Sequence, residues 1–344
     1  MTSDRYNQAP RIVCFGEILL RLAAPSTQLL FQEPVLEPTF CGAEANVAAN
    51  LAGLGHRARM VSALPDNPVG EAAARAIAGF GVALAAPRVA SSRLGTYYLQ
   101  PGAMTRSPRV TYDRAGSAFA QIDPGSYDWP TLLAGAEWLF VGGITAALGD
   151  KALAALREAI AQAQTMGLKI AFDTNYRPAL WQGREDQAAG ILRDLSLEAD
   201  LIFAGRRATA MMVGGSYDHA DPDEGFHEAA QAMFAASARL QHMAATRRVV
   251  HSSDRQDLTG LVADRSGSSA SATVALENIV DRVGTGDAFA AGVMHALLTR
   301  MSRDEAATFA TACAEWAHSV RGDIMLATLA DVEAIASGSR DVRR

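Results

Sequence analysis

Cysteine is scarce in this sequence: three among 344 residues, Cys14, Cys41 and Cys313, far apart and odd in number. A disulfide framework is therefore not expected, and a reducing, cytoplasmic setting fits better. No Cys-x-x-Cys or His-Glu-x-x-His pairing occurs, so neither a structural nor a hydrolytic zinc site has support. Long apolar runs are missing too. The opening decapeptide, MTSDRYNQAP, is polar and reads as neither a secretory signal nor a membrane anchor. Positive charge is outnumbered, with 31 Lys and Arg against 37 Asp and Glu and a formal net charge of −6. A nucleic-acid partner would need clustered positive charge, so none is expected. What remains is ordinary globular composition, 49% hydrophobic and 20% charged, with ample material for a core.

Short apolar runs alternate with longer helical patterns. Ile12–Phe15, Trp138–Val141, Ile170–Asp173, Leu201–Ala204 and Val249–Ser252 read as buried strands. One helix is expected after Gly149, with Asp150 as its N-cap, Leu153, Leu156 and Ile160 on one face, and Gly167 ending it. Another is expected from Ala43 to Leu54, closed by Gly55. Such alternation predicts βαβ units, an α/β fold whose mostly parallel central sheet is covered on both faces. Residues 11–335 are expected to form a single domain. Two stretches break the rhythm, 17–40 and 91–120, where segments such as Thr96–Leu99 and Arg109–Tyr112 sit between Pro and Gly. They are expected to be antiparallel strands forming a small lid over a pocket. Residues 1–10 and 337–344 are polar and expected to be flexible tails.

The segment from Val280 to Gly292 carries the most chemistry. Gly284 and Gly286 bracket a turn ahead of an apolar helix that runs to the neighbourhood of Leu298. A turn of this kind aims free N–H groups and the positive end of a helix dipole at one point. Asp287 then has two readings. It caps a core helix, or it is a general base that takes a proton from a substrate hydroxyl. In the second case the amides of Gly284, Thr285, Gly286 and Asp287 stabilise a phosphoryl group in transfer. The segment is not a dinucleotide fingerprint, because the third glycine is missing, nor a Walker A loop, because no Gly-Lys-Ser/Thr follows. The chain after Phe15 likewise lacks a glycine-rich turn, which disfavours a Rossmann oxidoreductase.

Read together with a second segment, this chain resembles the ribokinase-like (PfkB) family of sugar kinases. Gly284-Thr285-Gly286-Asp287-Ala288-Phe289 matches the family's signature near the C-terminus, and Gly42-Ala43-Glu44-Ala45-Asn46-Val47-Ala48, followed by Leu54-Gly55, matches the N-terminal one. The order is right and the resemblance covers residues 11–335. Within the family it is most similar to the 2-keto-3-deoxygluconate kinases, through Gly42–Val47, Arg109–Ala118, Gly143–Leu148 and Asp173–Trp181. The resemblance implies a ribokinase-like three-layer sandwich with a small β lid and transfer of phosphate from ATP, with Mg²⁺, to the terminal hydroxyl of a sugar acid. It also implies a homo-oligomer joined through the lid.

It assigns residues as well. A carboxylate substrate suits a guanidinium, whose planar fork matches two oxygens, and Arg114 and Arg177 are the candidates. Asn175 and Arg177, two apart at the end of a strand, are expected to share a face at the carboxyl edge of the sheet. Gly42 would let the sugar approach closely, Asn46 would donate to its hydroxyls, and Tyr98 (or Tyr97) and Tyr112 would wall the pocket. On the nucleotide side, Thr246-Arg247-Arg248 and His251-Ser252-Ser253 resemble segments that contact ATP phosphates and ribose, marking Arg248, Ser252 and Ser253. His318–Asp323 resembles the segment beside adenine, marking His318. Plainer readings stand beside these: Asn46 as a helix-face amide, the tyrosines as ordinary strand residues, a single arginine as a solvated side chain.

Three positions depart from the family. Where it usually carries an Asn-x-x-Glu that organises Mg²⁺, this chain reads Phe203-Ala204-Gly205-Arg206-Arg207-Ala208. Either an arginine meets phosphate there or catalysis is weakened, and no metal ligand is assigned. Cys41 replaces a glycine and reads as a small buried thiol. Asp281 has relatives that help bind a monovalent cation, although here Arg282 stands beside it. The alternatives are a neutral-sugar kinase and a non-catalytic sugar-acid-binding protein.

Overall fold

The computed structural model describes residues 11–339. Its first nine strands are β1 (Ile12–Phe15), β2 (Leu19–Ala23), β3 (Glu37–Cys41), β4 (Ala58–Val61), β5 (Leu64–Pro65), β6 (Ala83–Ala85), β7 (Arg88–Val89), β8 (Gly95–Gln100) and β9 (Arg109–Asp113). The rest are β10 (Trp138–Gly142), β11 (Lys169–Asp173), β12 (Leu201–Phe203), β13 (His242–Val250), β14 (Gln256–Asp264), β15 (Gly267–Ala270) and β16 (Val274–Leu276). The main sheet runs β6-β4-β1-β10-β11-β12-β13-β14-β15, with β16 also on β14. From β6 to β13 every pairing is parallel, and β14 pairs antiparallel with each of β13, β15 and β16.

Strand period two sorts the apolar residues onto two faces. Val13, Phe15, Leu139, Val141, Ile170 and Phe172 join one core with Leu153, Leu156 and Ile160 of the Asp150–Thr165 helix. Ile12, Cys14, Trp138, Phe140 and Ala171 join the other, with Val47 and Leu51 of the Ala43–Gly53 helix and Phe289 and Val293 of the Thr285–Thr299 helix. A sheet covered on both faces between two helical layers is the ribokinase-like three-layer arrangement. The unbroken apolar strands follow from it.

Several local expectations shift. Asp150 is the first helical residue and Gly149 occupies the N-cap, with no side-chain cap bond. The strand expected at Val249–Ser252 is instead the exposed end of β13, where Val249 and Val250 are 52% and 60% exposed and the buried part is Met243–Ala244. In the lid, ordered β3-β2-β8-β9, the outer pairs are antiparallel but β2 and β8 run parallel. The whole of β3 to β7 intervenes between these two strands, so no hairpin fixes their direction. Residues 337–339 are bonded back onto the last helix, Ser337 N to Glu333 O and Ser339 N to Ala334 O. The remaining expected tails, 1–10 and 340–344, lie outside the described residues.

Candidate active site

After β1 the chain builds β4 and β6 on one side and then crosses to β10 on the other. Open α/β sheets bind ligands at such a switch point, beyond the carboxyl ends of the strands. A cleft of about 1250 Å³ lies there. Glu17 borders it after β1, 173–177 after β11, 203–208 after β12, the 282–287 loop from the helical side, and Tyr97 and Tyr112 from the lid.

The glycine turn is built as anticipated. Gly284 is the N-cap of the Thr285–Thr299 helix and adopts a left-handed conformation, φ 78°. A Cβ there would lie 1.9 Å from the carbonyl oxygen of Asp323, so only glycine fits. Among the described residues the amides of Gly284 to Asp287 meet no acceptor, while the Thr285 hydroxyl donates to Arg282 O. Asp287 lies in the first turn and is not the cap. Its Oδ2 accepts a 2.7 Å bond from Asn46 Nδ2, and Asn46 Oδ1 accepts from the Gly42 amide. Burial raises the Asp287 carboxyl well above the ordinary range. The Asn46 bond opposes this, and neighbouring Asp173, Asp323 and Glu44 add to it.

Asn46 and Gly42 both border the cleft; Asn46 orients the Asp287 carboxyl, and Gly42 has no room for a Cβ, which would sit 2.1 Å from Glu17 O. Strand parity decides between the tyrosines. Tyr97 faces inward with Gly95 and Leu99, packs 6.2 Å from Tyr112 and lines the cleft, whereas Tyr98 turns away toward Phe31. Arg114 lines the cleft but is not a free fork. Its Nε donates to Glu17 Oε2 at 2.7 Å, its Nη2 donates to the same oxygen, and Nη1 is left over. Asn175 and Arg177 both border the cleft, from the loop beyond β11. Asn175 is left-handed at φ 33°, and its amide donates to Asp173 Oδ1. Arg177 is exposed, and its guanidinium makes no hydrogen bond or ion pair among the described residues.

Besides Arg114, six arginines, 177, 206, 207, 247, 248 and 282, border the cleft. Desolvation, and then Arg177, lowers the Arg248 guanidinium; desolvation, and then Arg248, lowers that of Arg282. Guanidiniums crowded this way favour a polyanion. Arg206 is tied to Tyr217 O and Arg247 to Asp223, but the side chains of Arg207 and Arg248 have no such partner among the described residues. Of the other nucleotide candidates, Ser252 and Ser253 do not border the cleft: Ser252 Oγ donates to Asp254, and the Ser253 amide donates to Met104 O. His318 is 2% exposed, bonded to Ala314 O and Gln256, and held down to about 4 chiefly by burial. It supports the 280–281 loop from behind, with its carbonyl accepting the Val280 amide.

The sequence reading gave no role to several buried groups. Glu44, inside the first motif, is 2% exposed and pushed up to about 7 by burial, with Asp173 adding to it. Asp173 is pushed up to about 6 by burial, against the pull of Arg177. Asp281, whose counterparts in relatives help bind a monovalent cation, is here ion-paired with Arg21. Isolated carboxylates in helix and loop give no signal in a sequence; only the fold gathers them. Among the described residues no group of three or more His, Cys, Asp or Glu is set to hold a metal ion.

A helix N-terminus with open amides, a buried carboxyl beside it and a lidded cleft at a sheet switch point fit an α/β phosphotransferase. The chain belongs to the pfkB family of carbohydrate kinases, whose family model matches residues 9–328. It is similar to a 2-dehydro-3-deoxygalactonokinase of Haloferax volcanii, 27% identical over 327 residues, 95% of this chain and 96% of that one. Among solved structures, a PfkB family carbohydrate kinase from Listeria grayi is 35% identical with a TM-score of 0.89, covering 95% of this chain and 99% of its own. The 2-dehydro-3-deoxygluconokinase of Thermotoga maritima is 32% identical with the same TM-score and the same coverage.

Proposed function

We propose that this kinase transfers the γ-phosphoryl group of ATP to the terminal hydroxyl of 2-keto-3-deoxygluconate or a close sugar acid. The observation that carries the reading is an unpartnered guanidinium, Arg177, in the same cleft as Asp287 and its glycine turn. The names of the similar proteins from Haloferax and Thermotoga favour the same substrate class. Arg177, with the spare Nη1 of Arg114, holds the carboxylate, while Tyr97 and Tyr112 wall the sugar. Asn46 fixes Asp287, which takes the hydroxyl proton as that oxygen bonds to the γ-phosphorus and the bond from phosphorus to the bridging oxygen breaks. Charge on the transferring oxygens meets the amides of 284–287, and the departing diphosphate meets Arg248 and Arg207. Mg²⁺ suits the site, because it takes one or two carboxylates and completes its shell with phosphate oxygens and water. The ion would be held mostly by ATP oxygens and water, with Asp287 the carboxyl at the glycine turn, and would supply charge neutralisation at the phosphates.

We place the protein in the cytoplasm as a homo-oligomer joined through the lid, whose exposed Phe31, Met104 and Val110 favour burial against a second copy. No described helix is long and apolar enough to cross a membrane. The test is ADP release with ATP, Mg²⁺ and a panel: the gluconate- and galactonate-series sugar acids, fructose, ribose, and the alcohol made by reducing the carboxylate. Turnover is expected with a sugar acid and its collapse with the alcohol. Equal turnover of the alcohol would transfer the assignment to neutral sugars, and no turnover with any acceptor would leave a binding protein.

A further inference from the structure

Arg21 belongs to β2 of the lid, yet it is 3% exposed. Its guanidinium reaches two carboxylates from distant parts of the chain, Nη2 standing 2.5 Å from Asp281 Oδ2 and Nη1 2.5 Å from Asp323 Oδ1. Both aspartates serve the loop that leads into the glycine turn. Asp281 Oδ1 accepts the amides of Arg282 and Val283, and its Oδ2 accepts that of Gly322. Asp323 accepts the Tyr97 hydroxyl at 2.7 and 2.9 Å, and its carbonyl lies against Gly284 where a Cβ would go. Burial alone would lower the Arg21 guanidinium, but Asp323, Tyr97 and Asp281 outweigh it, so the charge stays. Two carboxylates at this depth require a counter-charge. Arg21 provides it from the same strand pair that carries the wall of the sugar pocket.

We propose that Arg21 is a positioning residue: a built-in cation that bridges Asp281 and Asp323, fixes the phosphate-facing turn and ties it to the lid. Its kinetic side rests on the kinase reading, so nucleotide binding is measured separately from turnover. ADP affinity by calorimetry, and kcat with both KM values, are compared for wild type and Arg21→Ala. The variant is expected to lose about tenfold to a hundredfold in ADP affinity and kcat, as for a lost charged hydrogen-bond pair, with a smaller change in KM for the sugar acid. Guanidinium chloride, kept below denaturing concentration, is expected to fill the space and restore ADP binding to Arg21→Ala while leaving wild type unchanged. A merely structural arginine would lower Tm and show no such rescue. Should Arg21→Ala fail to fold, the pair Arg21→Met with Asp281→Asn removes opposite charges together, and the same loss of ADP affinity is expected. A folded variant that binds ADP within about twofold of wild type, or a folded Arg21→Ala that guanidinium does not rescue, overturns the proposal. Loss of ADP affinity in a protein that phosphorylates no sugar acid would sink the substrate reading and leave this one standing.

Discussion

In the proposed reaction Asp287 must lose its proton before it can accept one from the acceptor hydroxyl. Burial and three neighbouring carboxyls hold that proton on beyond the ordinary aspartate range. Log kcat/KM is therefore expected to rise with pH and level off, with its acid limb higher than an exposed aspartate would give. Asp287→Asn keeps the size and the Asn46 contact but removes the base. Turnover should fall by roughly 10²–10⁴-fold with little change in sugar binding; a loss of only a few fold would remove the assigned role. Arg177→Lys replaces a two-donor fork with a point charge. Its affinity for the sugar acid should drop by about 1–3 kcal/mol, and equal affinities in calorimetry would refute the clamp. Arg207, the exposed and untied member of the pair that stands where an acid is usual, should matter more to ATP than Arg206, whose Nη1 already serves Tyr217 O. Arg207→Ala is expected to raise KM for ATP, and Arg207→Glu to shift the Mg²⁺ dependence; unchanged ATP kinetics in both would leave Arg207 outside the site.

At the scale of elements, the helix that begins at Thr285 and the strand β8 each make a testable distinction between neighbours. Gly284 has a left-handed φ and no room for a Cβ, whereas Gly286 borders the cleft and a Cβ on it would meet nothing within 4 Å. Gly284→Ala should cost more than about 1 kcal/mol of stability, because both strain and a backbone clash oppose it. Gly286→Ala should melt as wild type does but bind ADP less well, since the added methyl stands where phosphate would approach the amides. Similar melting of both variants would mean that the turn is looser than its geometry. In β8 the alternation of faces settles which of two adjacent tyrosines meets the cleft.

For the molecule as a whole, the buried or half-buried carboxyls Glu44, Asp173 and Asp287 are a stability liability. Glu44 keeps its proton up to about 7 in the fold against a reference of 4.5. Folding therefore takes up a proton between those values, and this contribution to stability is full below the lower value and is lost as pH rises through the upper one. Glu44→Gln mimics the protonated side chain. It should match wild type at pH 4 and exceed it at pH 8 by on the order of 3 kcal/mol, read from denaturant melts at both pH values. A variant no more stable at pH 8 would show that Glu44 ionises freely in place.

The sequence by itself determined the parts whose signal is local. Short unbroken apolar runs, helical stripes and glycine punctuation suffice for an α/β sheet, and Gly284–Asp287 with Gly42–Asn46 suffice for the family. Strand direction in the lid, the choice of Tyr97 over Tyr98, the capture of Arg114 by Glu17 and the retreat of His318 into the core were decided only by the tertiary structure. Each depends on partners remote in the chain: Glu17 lies 97 positions from Arg114, and Asp323 lies 302 from Arg21. Pairing of buried charges is governed by desolvation, which no local pattern encodes, because a residue's depth is a property of everything folded around it.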